Sequence, residues 1–482
     1  MSDLEDIKKL LEECNQSHLL KYWNDLNENQ QKDFLAHLKS IDFKEALWMW
    51  HKAEADFEEC DKITEDDLMP VDVEVEKDLP HSTIEEYRSI GLEEISNNKV
   101  AVIVLAGGQG TRLGMPYPKG MCPTGIPSGK TLFQLQAERI QCLEDLAKLK
   151  TGKNSIIYWY LMTSEATHML TEKFLIQNRH FGLNKDHVTL FKQMQIPCFD
   201  MTGRIILEEK DEVATSPDGN GGLFKALQEQ GMLEDLQKKG VKYVHVHSVD
   251  NILVKVADPV FIGKCVKDNV DCGLKVIKKT DPTEPLGVVV LAMDKIDVVE
   301  YTELPPTTAA LLSHSRENLV FNAGNICNHF FTVDFLKDIS SKYEFDLRLH
   351  MSKKIVTQIG PDGDKILPPV PNCIKIEKFI FDVITYAKNF LVWQVERASE
   401  FSPVKNSDVS KRDCFATAKR DLLALHKSWV ENNGGKCQGV GVEVSPRLSY
   451  EGEGLDFVRG KEFKENEVLI TDREQRMLDR KS

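Results

Sequence analysis

Residues 99–114 read Lys-Val-Ala-Val-Ile-Val-Leu-Ala-Gly-Gly-Gln-Gly-Thr-Arg-Leu-Gly, and Pro118-Lys119-Gly120 comes a few residues later. Val100 to Ala106 is a continuous apolar run rich in β-branched residues, the pattern of a strand buried on both faces of a parallel sheet. Gly107, Gly108 and Gly110 follow at once, so the chain leaves the strand end in a tight turn without Cβ atoms in the way. Backbone N–H groups in such a turn can approach a ligand closely and form an anion-binding concavity. Arg112 and Lys119 add two cations to the same loop. A triphosphate is the ligand this chemistry suits best.

Spacing excludes two familiar glycine loops. A P-loop needs Gly-x-x-x-x-Gly-Lys-Ser/Thr, and no Lys-Ser/Thr pair stands here. A dinucleotide fingerprint needs Gly-x-Gly-x-x-Gly, whereas Gly108-x-Gly110 is followed by Gly114, one residue too far. The run Leu105-Ala-Gly-Gly-x-Gly-Thr-Arg-Leu-Gly114, with Pro118-Lys119 beyond it, resembles the signature of sugar-nucleotide pyrophosphorylases. These nucleotidyltransferases join a nucleoside triphosphate to a sugar 1-phosphate.

The chain has 482 residues, more than one core usually supports, and a net charge of −15 that argues against a nucleic-acid partner. Eleven cysteines are scattered without a C-x-x-C pair, which fits reduced thiols rather than a zinc site or a disulfide scaffold. Met1-Ser-Asp-Leu-Glu-Asp is no signal peptide and no apolar run reaches membrane-span length, so a cytoplasmic protein without a membrane partner is expected.

Residues 1–95 read as a helical N-terminal domain, with Leu4, Ile7, Leu10 and Leu11 at helical spacing, then Phe34, Leu35, Leu38 and Ile41. Trp48 and Trp50 read as aromatic packing. Residues 61–78 read as an acidic linker, and Ser82-Thr-Ile-Glu85 as a capping box opening a helix that Gly91 closes. Residues 96–405 form the expected catalytic domain. Its strands and helices alternate, which argues for a Rossmann-like α/β fold with a mostly parallel sheet. Ligands in such sheets sit beyond the carboxyl ends of strands. Residues 406–482, with glycine-rich turns and short strand-like runs, read as a small C-terminal β-containing domain. It either closes over the active site or packs on another subunit.

Asp250 ends the strand pattern Lys242-Tyr-Val-His-Val-His-Ser-Val-Asp250, where it is either the cap of the next turn or a Mg2+ ligand. The nearby phosphate loop favours the metal, since Mg2+ takes one or two carboxylates plus substrate phosphates. His245 and His247 share a face of that strand and read as sheet packing. Ser216-Pro-Asp-Gly-Asn-Gly-Gly222 packs three glycines ahead of a helix, and composition alone makes it a turn.

Further on stand Glu284-Pro-Leu-Gly-Val-Val289, Val299-Glu-Tyr301, Phe321-Asn-Ala-Gly-Asn-Ile326, Ile374-Lys-Ile-Glu-Lys-Phe-Ile-Phe-Asp382 and Phe401-Ser-Pro-Val-Lys-Asn406. Their order closely resembles that of the UDP-N-acetylhexosamine pyrophosphorylases. The resemblance implies a nucleotidyltransferase fold and a substrate set of UTP, N-acetylhexosamine 1-phosphate, UDP-N-acetylhexosamine and pyrophosphate. It also implies Mg2+, with Mn2+ as an alternative, and a monomer or homodimer. It places Leu105, Ala106, Gly107, Gly108, Lys119, Gln193, Gly219, Asp250 and Lys375 on the nucleotide. Asn220, Gly287, Glu300, Tyr301, Asn325, Phe381 and Lys405 fall on the sugar phosphate, with Arg112, Lys119 and Lys405 as the catalytic cations and Asp250 on the metal. UDP-glucose pyrophosphorylases share much of this pattern but typically carry Gly-Gly-Leu-Gly-Thr where this chain has Gly107-Gly-Gln-Gly-Thr111. A sugar-nucleotide sensor without turnover would be expected to lack part of the cation set, all of which is present.

Overall fold

The computed structural model describes residues 2–60, 64–293, 295–360, 362–471 and 474–475. The chain divides into two compact units. One gathers residues 1–67, 193–226 and 343–382, and the other gathers 68–192, 227–342 and 383–482.

The first unit is built on three helices, Ser2–Glu13, Glu28–Ser40 and Phe43–Cys60. Asn27 starts the second of these, its Oδ1 accepting from the Asn29 and Gln30 amides while the Gln30 side chain accepts from the Asn27 amide. That reciprocal cap satisfies donors that a helix start otherwise leaves open. Ile7, Leu11, Phe34, Leu38 and Trp50 pack with Ile196, Phe199, Ile205, Ile374 and Ile376. The Trp50 and Phe199 rings lie 5.2 Å apart, so the tryptophan is core, as its context suggests.

The second unit holds one 11-stranded sheet. In chain order its strands are β1 (Leu68–Pro70), β2 (Glu74–Val75), β3 (Val100–Leu105), β4 (Tyr158–Thr163), β5 (Val188–Lys192), β6 (Tyr243–Ser248), β7 (Cys272–Lys278), β8 (Val288–Ala292), β9 (Lys295–Val299), β10 (Ala323–Thr332) and β11 (Phe390–Val395). The main path runs β2-β11-β7-β10-β6-β3-β4-β5, with β1, β8 and β9 branching off β10. Strands β6, β3, β4 and β5 are mutually parallel and β10 runs against its neighbours, giving a mostly parallel α/β sheet. All six residues of β3 are buried, as its unbroken apolar pattern requires. Because β3 to β6 point one way, their carboxyl ends bring Gly107, Ser164 and Asp250 to one side.

Three local readings are corrected. The helix His81–Ser96 runs through Gly91, and Pro80 precedes it without a side-chain cap; Glu85 instead accepts from Arg88 Nε at 2.9 Å. A Cβ at Gly91 would collide with the Pro259 carbonyl, and one at Gly263 with that of Tyr87. Both glycines therefore serve a backbone-close helix crossing rather than a helix end. Within 61–78, residues 61–63 lie outside the described residues, while β1 pairs with β8 and β2 with β11, so part of that stretch is sheet edge and not linker. Beyond Asn406 the chain forms an 18-residue helix, Phe415–Asn432, absent from the sequence reading. It packs Val430 with Val442, Val444, Leu455, Val458 and Phe463, beside two short parallel strand pairs.

Candidate active site

Past β3 the loop is shaped by a few backbone bonds. Ala106 N donates to Met162 O at 2.7 Å, Gly110 N to Tyr117 O at 3.1 Å and Lys119 N to Gly108 O at 3.4 Å. The amides of Gly107, Gly108 and Gln109 make no hydrogen bond with any described residue. The Gly107 carbonyl is held by Ser164 Oγ at 2.9 Å, which turns the next peptide so that its N–H points the other way. Ser164 stands at the end of β4, also caps the helix Glu165–Gln177, and was not singled out from sequence. Its position just past a strand end was the available signal. A Cβ at Gly108 would meet only the Lys119 side chain, Cδ at 3.7 Å and Cε at 3.9 Å, so that position is uncrowded.

Lys119 and Asp250 meet: Nζ donates to Asp250 Oδ2 at 3.0 Å and to the Val404 carbonyl at 3.2 Å. Ser248 Oγ donates to Asp250 Oδ1 at 2.9 Å. Burial pushes this carboxyl up, but the Lys119 and Lys405 cations and the two donated bonds outweigh it and hold the group below its ordinary range. Lys405 is half-buried on the adjoining segment. Arg112 is exposed and forms no ion pair among the described residues, so the structure does not bring it to the Lys119–Asp250 pair.

Gly287, Glu300 and Asn325 come together in the same unit. Asn325 N donates to Gly287 O at 2.9 Å, and a Cβ at Gly287 would stand 3.0 Å from Glu300 Oε1. Buried Lys279, donating from Nζ to Leu286 O at 3.0 Å, fixes the turn ahead of Gly287. Tyr301, next to Glu300, is half exposed.

The other unit carries Gln193, the loop 216–222, Lys375 and Phe381. Gly219 has φ +89° and ψ 177°, a conformation open essentially to glycine, and a Cβ there would strike the Lys378 carbonyl. Lys378 N donates to Asp218 O at 2.8 Å, Gly221 N to Lys378 O at 2.9 Å, and Ile380 N to Asn220 Oδ1 at 3.0 Å. Asn220 thus ties the loop to the segment bearing Phe381, whose ring lies 5.1 Å from that of Phe379. Gln193 is buried directly after β5, and Lys375 is half-buried in the strand Cys373–Glu377. Asp218 is buried and Oδ1 has no hydrogen-bond partner among the described residues, so desolvation pushes its carboxyl up to about 7 against the pull of Lys378.

For a divalent ion, Asp250 is an ionised single carboxylate at a strand mouth, which fits Mg2+ held mainly by phosphates and water. Among the described residues, Glu76, Asp258 and Glu400 are close enough to share a metal. Lys275 Nζ already sits 2.5 Å from both Asp258 and Glu400, so this is a buried ion network. His245 donates from Nε2 to Asn328 Oδ1 at 2.8 Å and accepts at Nδ1 from the Ala257 amide, which leaves neither nitrogen for a metal.

A sequence model of UTP–glucose-1-phosphate uridylyltransferases matches residues 48–438. The UDP-N-acetylhexosamine pyrophosphorylase-like protein 1 of Homo sapiens is 41% identical over 508 residues, covering 98% of this chain and 98% of that one. The UDP-N-acetylglucosamine pyrophosphorylase of Saccharomyces cerevisiae is 37% identical over 484 residues, covering 96% and 99%. The crystal structure of the uridine diphosphate N-acetylglucosamine pyrophosphorylase of Trypanosoma brucei superposes with a TM-score of 0.82 at 27% identity, covering 98% of this chain and 99% of that one.

Proposed function

We infer the reaction from the premise that the chain belongs to the UTP–glucose-1-phosphate uridylyltransferase family, and that relatives it matches over nearly their whole length are named UDP-N-acetylglucosamine pyrophosphorylase and UDP-N-acetylhexosamine pyrophosphorylase-like protein 1. The chain is a nucleotidyltransferase enzyme that converts UTP and N-acetylglucosamine 1-phosphate to UDP-N-acetylglucosamine and pyrophosphate. N-acetylgalactosamine 1-phosphate is a second substrate in this proposal, and the enzyme works in the cytoplasm. Among the described residues no helix is long and apolar enough to cross a membrane.

One observation carries the reading: Lys119 Nζ rests on Asp250 Oδ2 at 3.0 Å beside a glycine loop whose leading amides are unengaged. The sugar phosphate is ionised at neutral pH, so its oxygen attacks the α-phosphorus in line and the bond to the β-phosphate oxygen breaks. No protein nucleophile is required. Catalysis is then positioning and charge neutralisation. The free amides of Gly107 and Gly108 receive phosphate oxygens, Arg112 and Lys119 face the departing pyrophosphate, and Lys405 serves the sugar phosphate. Lys375 also reaches the phosphates. Asp250 holds Mg2+, which when bound supplies charge neutralisation on the phosphates. Gln193 and Gly219 contact the uridine, Asn220, Gly287, Glu300, Tyr301 and Asn325 the sugar, and Phe381 bounds the acetyl pocket.

The test is pyrophosphate release from UTP and Mg2+ with N-acetylglucosamine, N-acetylgalactosamine and glucose 1-phosphates in parallel. Both acetylated sugars should turn over well ahead of glucose 1-phosphate. Preference for glucose 1-phosphate would move the chain to the UDP-glucose branch of its family, whose typical loop carries Leu where this chain has Gln109.

A further inference from the structure

Lys405 lies on a strap, residues 400–405, that belongs to no sheet ladder. Its path is fixed along residues 250–252, where Val404 N donates to Asp250 O at 2.9 Å and Ile252 N to Ser402 O at 3.3 Å. Pro403 stands opposite Asn251 in a non-hydrogen-bonded pair, where its missing N–H costs the pairing nothing. The side chain of Asn251 adds further bonds to the strap. Buried at 4% exposure, it donates from Nδ2 to the Glu400 carbonyl at 2.6 Å and accepts at Oδ1 from Ser402 N at 3.0 Å and Leu253 N at 3.2 Å.

The start of the strap is itself immobilised. The Glu400 carboxylate receives Lys275 Nζ at 2.5 Å and Lys255 Nζ at 3.4 Å, deep in the core. At the far end the Lys405 and Asn406 amides both donate to Asp413 O, at 2.7 and 2.9 Å. Between these anchors, Ser402 Oγ donates to Asp421 Oδ2 at 2.8 Å and Lys119 Nζ reaches the Val404 carbonyl. The buried ion network thus has a mechanical output. It fixes the point from which Asn251 sets the strap.

We propose that Asn251 is the positioning residue of the transfer reaction, setting the Lys405 strap in register with Asp250 and Lys119 through its three side-chain hydrogen bonds. The proposal rests on the reading that Lys405 acts on the phosphates. Removing the side chain strands one carbonyl and two amides in a buried place, and a shift of about 1 Å in a charged group can lower a rate about a hundredfold. A structural asparagine would lower stability without touching turnover per folded molecule.

The test is steady-state kinetics on the full chain for Asn251→Ala, Lys405→Ala and the double variant, with circular dichroism and Tm on each. Asn251→Asp is carried alongside; it keeps the shape but puts a carboxylate against the Glu400 carbonyl, so it reports even if the alanine variant does not fold. Asn251→Ala or Asn251→Asp should lower kcat by about 10- to 100-fold. KM for UTP should stay within about threefold, while KM for the sugar phosphate should rise alongside the loss in kcat, because Lys405 serves that phosphate. In the Lys405→Ala background the same change should cost less than about threefold, since coupled residues are not additive. Multiplicative losses, or a kcat like that of the unmodified enzyme, overturn the positioning role. A Lys405→Ala variant with unchanged kcat overturns instead the underlying assignment of Lys405.

Discussion

In the loop after β3 the amides of Gly107, Gly108 and Gln109 are unengaged among the described residues, Arg112 is exposed, and Gly108 has room for a methyl group. In the loop 216–222 the amides of Asp218, Gly221 and Gly222 are bonded, and glycine is demanded at 219 by both a positive φ and the Lys378 backbone. Both are glycine-rich turns ahead of helical segments, yet their glycines serve different ends. The first set keeps side chains out so that a ligand can come close. The second keeps side chains out so that the protein can close on itself. Anion binding suits the first, because unengaged N–H groups gain most from a phosphate. Shape recognition of a base or sugar suits the second, because a rigid wall gives up little freedom on binding.

The comparison breaks most easily at Gly219. Gly219→Ala should destabilise the protein by about 3 kcal/mol or more, since it adds backbone strain to a steric clash, and activity should fall with it. Thermal unfolding that matches the unmodified protein would mean the second loop is not self-locked. Next in size, Arg112→Ala and Lys405→Ala should each lower kcat/KM by roughly a hundredfold with little change in Tm, the scale for losing one charge-stabilising donor. Turnover near that of the unmodified enzyme in both would remove the cation clamp.

Gly108→Ala sharpens the contrast. It should leave Tm unchanged while raising KM for UTP about tenfold, about 1.4 kcal/mol of lost ligand approach. A fall in Tm with normal KM would make Gly108 structural like Gly219. A further test lies in the pH dependence set by Asp218, whose buried carboxyl, faced by Lys378, Lys225 and Glu344, is raised to about 7. A folded value above the unfolded one means the stabilising contribution is complete below about pH 4 and is lost as the pH climbs through about 7. Asp218→Asn should therefore flatten the decline of Tm with pH across that window, and an unchanged slope would show the group to be ionised throughout.

What could be read locally was what local chemistry decides. The apolar run of β3, the turn behind it and Asp250 at the end of the β6 segment all follow from short-range pattern, and the structure puts Lys119 against Asp250. Gly91 misled because its reason lies in the Pro259 carbonyl of another helix, while the local rule for a glycine near a helix end points to termination. Asn251 passed unnoticed beside Asp250, since its partners Glu400 and Ser402 arrive from far along the chain. The helix Phe415–Asn432 was hidden behind the glycines that follow it, although Ala418, Leu422 and Val430 keep its spacing. For Arg112 the loop is legible but the side chain's destination is not, because among the described residues no ion-pair partner fixes its place.

The first unit is assembled from three separated stretches ending at residue 382, which imposes an order on its synthesis. The three leading helices leave the ribosome with Leu11, Phe34 and Trp50 bared, and the strand bearing Ile374 and Ile376 emerges more than three hundred residues later. During that wait part of the cluster stays uncovered, and exposed apolar surface of this kind is prone to aggregate. A shortened gene that stops before residue 373 would encode an insoluble product rather than a smaller enzyme.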